Sequence, residues 1–130
     1  MKLKSLLLST VAVAMAASAH AMDGPIKIGA SLPLTGNFSV AGQKHQQGYE
    51  HCVDVINQRG GILGRDVELI VSDNRSDPAT AINQYERFIN VDGVEAVFGT
   101  FSSRLTFPVA NILAKNGYVH PIPAGGALRI

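Results

Sequence analysis

Between residues 26 and 126 the chain alternates strand-like and helix-like apolar patterns, and this alternation constrains the fold more than any other feature. "IKIGASLPLTG" (26–36) reads as a strand running into a loop punctuated by Pro33 and Gly36. Over residues 42–59 the period changes to three and four. Tyr49, Cys52, Val53 and Ile56 fall on one helical face, Arg59 sits in the last turn, and Gly60 and Gly61 end the helix. "RDVELIVSD" (65–73) alternates Val67, Leu69 and Val71 and predicts a second strand. Asp77 as N-cap and Pro78 at the first helical position open a second helix, with Ala81, Ile82, Tyr85, Phe88 and Ile89 on its buried face. "VEAVFG" (94–99) predicts a third strand. A third helix over residues 102–116 stops at Gly117, and "YVHPIPAGG" (118–126) predicts a fourth, proline-interrupted strand. Parallel neighbours must be joined by crossovers. The expected class is therefore α/β, a doubly wound, mostly parallel sheet in the order β-α-β-α-β-α-β.

In such a sheet ligands sit beyond the carboxyl ends of the strands, near the point where strand order reverses. Three segments reach that edge: residues 33–43, 99–104 and 123–128. All are rich in glycine, serine, threonine and alanine. Residues 99–103 lie between a strand end and a helix start, where free N–H groups and the positive end of the helix dipole point outward. With Thr100, Ser102 and Ser103 adding hydroxyls, the turn suits an anionic group such as a carboxylate. Equally, one serine can be no more than the N-cap of the third helix. Arg104 is a further candidate for pairing an anion, although a solvated first-turn arginine explains it as well.

Other chemistries lack their settings. "GGILG" (60–64) joins a helix to a strand, whereas a dinucleotide-binding loop must join a strand to a helix. No GxxxxGK[ST] or GxSxG motif occurs. His45, His51 and His120 have no metal-ligand spacing and read as surface or hydrogen-bonded histidines. Asp73 and Asp77 are explained by a strand end and an N-cap. No cofactor and no metal is expected. Cys52 is alone, which excludes an internal disulfide, and it reads as a small buried residue on the first helix.

The first residues have a separate logic. Lys2 and Lys4, the apolar "SLLLSTVAVAMAAS" and the A-x-A site at residues 19–21 form a secretory signal peptide over residues 1–21. Without Lys2 and Lys4, 9 of the 11 Lys and Arg remain against 10 Asp and Glu. A near-neutral chain with no basic stripe is not expected to bind nucleic acid. No cysteine follows the cleavage site to carry a lipid. The expected location is the periplasm.

The stretches "GASLPLTGNFSVAGQ", "GYEHCVDVINQRGGILGRDVELIVSDNRSDPATA" and "VEAVFGTFSS" resemble, in this order, the N-terminal lobe of the type I periplasmic binding proteins, in particular the leucine/isoleucine/valine-binding receptors of ABC importers. The likeness runs over residues 26–128. It implies a two-lobed clamshell that closes on a small solute (an amino acid, an aromatic acid or an amide) and docks on a membrane permease. It implies that Ser103, the second serine of the pair, binds the ligand carboxylate, and that Ala41 touches ligand from the loop after "PLTG". It also implies a contribution from the turn after the fourth strand, which here offers only the backbone donors of Gly125, Gly126 and Ala127.

Residues 22–130 are expected to form this lobe incompletely, since the sequence ends just after a strand and its turn. The favoured reading is a solute receptor that is not an enzyme. The alternatives are an extracellular sensor domain of the same fold, an α/β enzyme using the same sheet edge, and a gene fragment without function. Turnover would require an acid, base or metal at that edge, and none is evident.

Overall fold

A computed structural model describes residues 24–127; the signal-peptide segment lies outside them. Among the described residues three parallel strands form the sheet: β1 (Ile26–Leu32), β2 (Val67–Asp73) and β3 (Ala96–Phe98). Three α-helices alternate with them: α1 (Ser39–Gln58), α2 (Pro78–Arg87) and α3 (Ser103–Lys115). The sheet order is β2-β1-β3, with Ile28 of β1 facing both Leu69 and Ala96. Because β1 is central, the crossover through α1 and the crossover through α2 leave in opposite directions. The helices therefore cover opposite faces, which is the doubly wound arrangement.

Strand alternation sorts the core into two layers. On one face Ile28 and Val67 pack with Val53 of α1, flanked by Ile56, Leu69, Ala96 and Phe98. On the other, Val97 packs with Ala81, Tyr85 and Phe88 from the second crossover and Val109 and Leu113 of α3. Phe88 opens a five-residue π-helical turn, Phe88–Asp92, which closes on Gly93 in the left-handed conformation. Its ring lies so close to β1 that a Cβ at Gly29 would fall 2.8 Å from it, so the glycine makes room for the aromatic.

Asp77 is the N-cap of α2, its Oδ1 accepting from the amide and hydroxyl of Thr80, and Pro78 is the first helical residue. The glycines that follow the C-cap of α1 have positive φ, 96° at Gly60 and 74° at Gly61, as a helix stop requires.

Four expectations are corrected. The helix α1 starts at Ser39, before the apolar pattern begins, because Gly42 N–H already bonds Phe38 C=O. Arg59 is its C-cap rather than part of its last turn. Cys52 is exposed, since Val53 alone of that pair turns inward. Residues 118–127 make no strand: their one sheet-like pairing is an isolated parallel bridge between Phe101 and Ala124. Pro121 and Pro123 have no N–H to give a ladder.

At the N-terminal ends of the strands, Arg65 binds both carboxylate oxygens of Glu95, at 2.6 and 2.9 Å, and donates to the carbonyls of Gly24 and Pro25. A cavity of about 270 Å³ lined by Glu95, Ala96, Gly117, Tyr118 and Val119 lies at this end.

Candidate functional site

The switch point falls between the carboxyl ends of β1 and β3, so residues 33–38 and residues 99–102 form the two walls of a mouth. The walls meet through aromatic rings. Phe38 and Phe101 stand edge to face at 5.7 Å, and His45 of α1 lies 5.6 Å from Phe101. Deeper on the same face, Tyr49 stacks on Phe98 at 4.4 Å and donates its hydroxyl to the Gly99 carbonyl at 2.9 Å. Burial pushes the Tyr49 phenol up to about 12.

The turn after β3 is shaped by its own chain. A Cβ at Gly99 would lie 2.0 Å from the Pro121 carbonyl oxygen, so the glycine exists because residues 121–123 cross directly over it. Thr100 is fully buried, its hydroxyl accepting from Asn74 Nδ2 at 3.2 Å. Ser102 takes a positive φ of 76° and is the N-cap of α3: its Oγ accepts from the Arg104 amide. Its carbonyl accepts from Leu105 and Thr106, and its own N–H donates to Ala124. With three first-turn amides folded back on Ser102, the outward capacity of the turn narrows to the Ser103 amide and the two hydroxyls. Ser103 Oγ accepts from the Ala127 amide at 3.0 Å. The structure thus brings residues 102–103 and 124–127 together. Gly125 and Gly126 are exposed beside them, as is Arg104. Ala41 stands in the first turn of α1, half-buried, its carbonyl 2.9 Å from His45 Nδ1.

Polar residues that sequence reasoning passed over hold the other wall. Asp73 Oδ1 accepts from the amides of Leu34, Thr35 and Arg75, and Oδ2 from the Thr35 hydroxyl at 2.7 Å. Partial burial pushes its carboxyl up, but these hydrogen bonds outweigh it and hold the group below the usual carboxylate range. Ser76 accepts from Phe38 N–H and donates to the Thr35 carbonyl. Fully buried Asn74 links Ser31, Thr100 and Ser76. The alternation of β2 marked Asp73 only as a strand end. Nothing in the local pattern shows which loop a side chain at that end will meet.

His120 departs from the expectation of a surface or hydrogen-bonded residue. Its ring is packed against Tyr85 with a centroid separation of 6.4 Å, and neither nitrogen has a partner among the described residues. That burial lowers its pKa. Among the described residues no cluster of His, Cys, Asp or Glu could hold a metal ion, and no helix is long and apolar enough to cross a membrane.

A parallel sheet in the order β2-β1-β3, helices on both faces and a mouth at the switch point define a lobe of the type I periplasmic binding-protein fold. The sequence model of the periplasmic binding proteins matches residues 25–126, and the chain belongs to that family. It is 36% identical over 128 residues to the Leu/Ile/Val-binding protein BraC3 of Rhizobium johnstonii, an alignment covering 98% of this chain and 34% of that protein. It is 32% identical over 120 residues to Leu/Ile/Val-binding protein homolog 2 of Brucella abortus, covering 92% and 32%. Among solved structures, the branched-chain amino acid transporter substrate-binding protein LivJ of Streptococcus pneumoniae, in complex with isoleucine, superposes with a TM-score of 0.78. The identity is 30%, covering 81% of this chain and 30% of that one. The leucine-binding protein LivK of Thermotoga maritima superposes at 0.72 with 29% identity, covering 78% and 28%. The chain spans about a third of the length of these curated relatives.

Proposed function

We propose that this chain supplies one lobe of the substrate-binding component of an ABC importer, exported to the periplasm through a cleaved leader at residues 1–21. The solute is an amino acid or a similar small carboxylate or amide, held between this lobe and a second one, and the receptor delivers it to a membrane permease. The observation that carries the reading is the turn at residues 102–103: an α-helix N-terminus with two hydroxyls, opening at the switch point of a parallel sheet. Ser103 offers its amide and hydroxyl to the anionic end of the solute. Ser102 shapes that turn, Thr100 supports it from below, and Gly125, Gly126 and Ala127 close its flank. Ala41, in the first turn of α1, leaves space for the solute's side chain. Closure is a hinge motion driven by contacts that exist only when both lobes grip the ligand.

The relatives support this reading, since those described above are named as proteins that bind branched-chain amino acids or as a homologue of one. Calorimetric titration of the exported protein, its intact mass first determined, with isoleucine, benzoate and acetamide tests it. Binding of one of them, weakened by about 1–3 kcal/mol in Ser103→Ala, is the expected result for a charged acceptor that loses a donor. Unchanged affinity in that variant removes Ser103 from the site.

A further inference from the structure

Asn74 is the point where the two walls of the mouth are joined. It follows β2 directly and is fully buried. Its Nδ2 donates to Ser31 Oγ of β1 at 3.1 Å and to Thr100 Oγ1 of the turn after β3 at 3.2 Å. Its Oδ1 accepts from Ser76 N–H at 3.0 Å. Its own amide donates to Leu32 and its carbonyl accepts from Asp77. The carboxamide therefore has both donors and an acceptor engaged, each with a different segment. Ser31 passes the network on to Gln84 of α2, which donates to the Asp73 carbonyl.

The two ends of this chain of bonds matter for the mouth. Thr100 lies one residue before Phe101 and two before Ser102. Ser76 holds the Phe38 amide at 3.1 Å and the Thr35 carbonyl at 2.8 Å. Ser76 itself has a positive φ of 60°, and neighbouring Arg75 one of 55°, which non-glycine residues keep only when surrounding bonds enforce it. A side chain that is fully hydrogen-bonded in a dry interior permits one arrangement of its neighbours, because each alternative strands a buried donor or acceptor.

We propose that Asn74 is a positioning residue that couples the two walls, fixing residues 33–38 against residues 99–103 and with them the geometry offered to a solute. Its bearing on binding rests on the solute-binding reading above, whereas the coupling itself is measurable without ligand.

The test is amide hydrogen exchange of the unsubstituted chain and of Thr100→Val, Thr100→Ser and Ser76→Ala. Thr100→Val keeps the shape but removes the acceptor for Asn74. It should speed exchange about tenfold at Ser102 and also at Phe38, in the opposite wall, while the Val97 and Leu113 amides are unmoved. Thr100→Ser keeps the hydroxyl but loses a packed methyl, and it should restore slow exchange at Phe38 despite lower thermal stability. Ser76→Ala keeps the N–H that Asn74 accepts but releases the Phe38 amide and the Thr35 carbonyl, so it loosens the first wall and reads the coupling from that side, at the Ser102 amide; it serves if Thr100→Val does not fold. Exchange rising only beside the substituted residue, with the far wall unchanged in both variants, overturns the proposal. In parallel, isoleucine affinity should fall about tenfold in Thr100→Val and largely return in Thr100→Ser. If the unsubstituted protein binds no isoleucine, the choice of solute fails while the exchange result still decides the role of Asn74.

Discussion

The two faces of the sheet are built differently. The face under α2 and α3 is sealed: Ala81, Tyr85, Val109 and Leu113 have no exposed surface, and Phe88 has 1%. Even the Tyr85 hydroxyl is used, donating to the Phe98 carbonyl at 2.7 Å, and burial raises its pKa. The face under α1 has a smaller fully apolar centre and grades outward into the rings of Phe98, Tyr49, His45, Phe101 and Phe38. Stability concentrates on the first face. The second leads to the mouth, where aromatic and polar groups stay partly accessible.

Substitutions should separate the two roles. The largest effect is expected from Phe88→Ala, which empties the space between the second crossover and Gly29. A loss of about 3–5 kcal/mol in chemical denaturation is expected. A loss under about 1 kcal/mol would mean that the two faces share the stability evenly. Next is Gly99→Ala. The new methyl would meet the Pro121 carbonyl, so residues 121–123 must shift, at a cost of about 1–3 kcal/mol. Unaltered stability and unaltered exchange at the Ser102 amide would show that this segment yields freely.

Smaller is Tyr49→Phe on the α1 face, which strands the Gly99 carbonyl and should cost about 1 kcal/mol at neutral pH. The raised phenol pKa also makes wild-type stability fall as pH rises from about 10, its unfolded value, through about 12. Tyr49→Phe should lose that share of the alkaline decline, and identical alkaline limbs would place the phenol in water. The smallest effect belongs to Asp73, whose carboxyl is held low by loop amides and the Thr35 hydroxyl. Its contribution is complete above the unfolded value of about 3.9 and disappears as pH falls through the lower folded one. Asp73→Asn should flatten the acid limb of a stability–pH curve, while an unchanged limb would assign acid sensitivity elsewhere.

Legibility followed the range of the interactions. The Asp77 cap was readable because the cap and its partner Thr80 are three residues apart. The alternation of Val67 and Leu69 was readable because a strand's faces repeat every second residue. Cys52 and Val53 are adjacent on the apolar side of α1, and spacing alone did not say which would turn outward. Around the site, the hydroxyl-rich turn was visible, while its neighbours were not. Phe38 and Phe101 are separated by 63 positions, and Asn74 reaches Ser31 and Thr100 across 43 and 26.

By itself the sequence determined the order of strands and helices as far as α3, the parallel crossovers that follow, and the placing of a small, hydroxyl-bearing turn at a helix start. These depend on periodicity, capping and backbone sterics, all of which act within a few residues. Tertiary structure alone decided what each member of that turn does. Gly99 yields space to Pro121, Thr100 turns inward to Asn74, Ser102 caps α3, and Ser103 meets Ala127. It also decided that residues 118–127 cross the strand ends instead of extending the sheet. Such assignments depend on which distant segment arrives to compete for the same space and the same hydrogen bonds, and a local pattern carries no record of that.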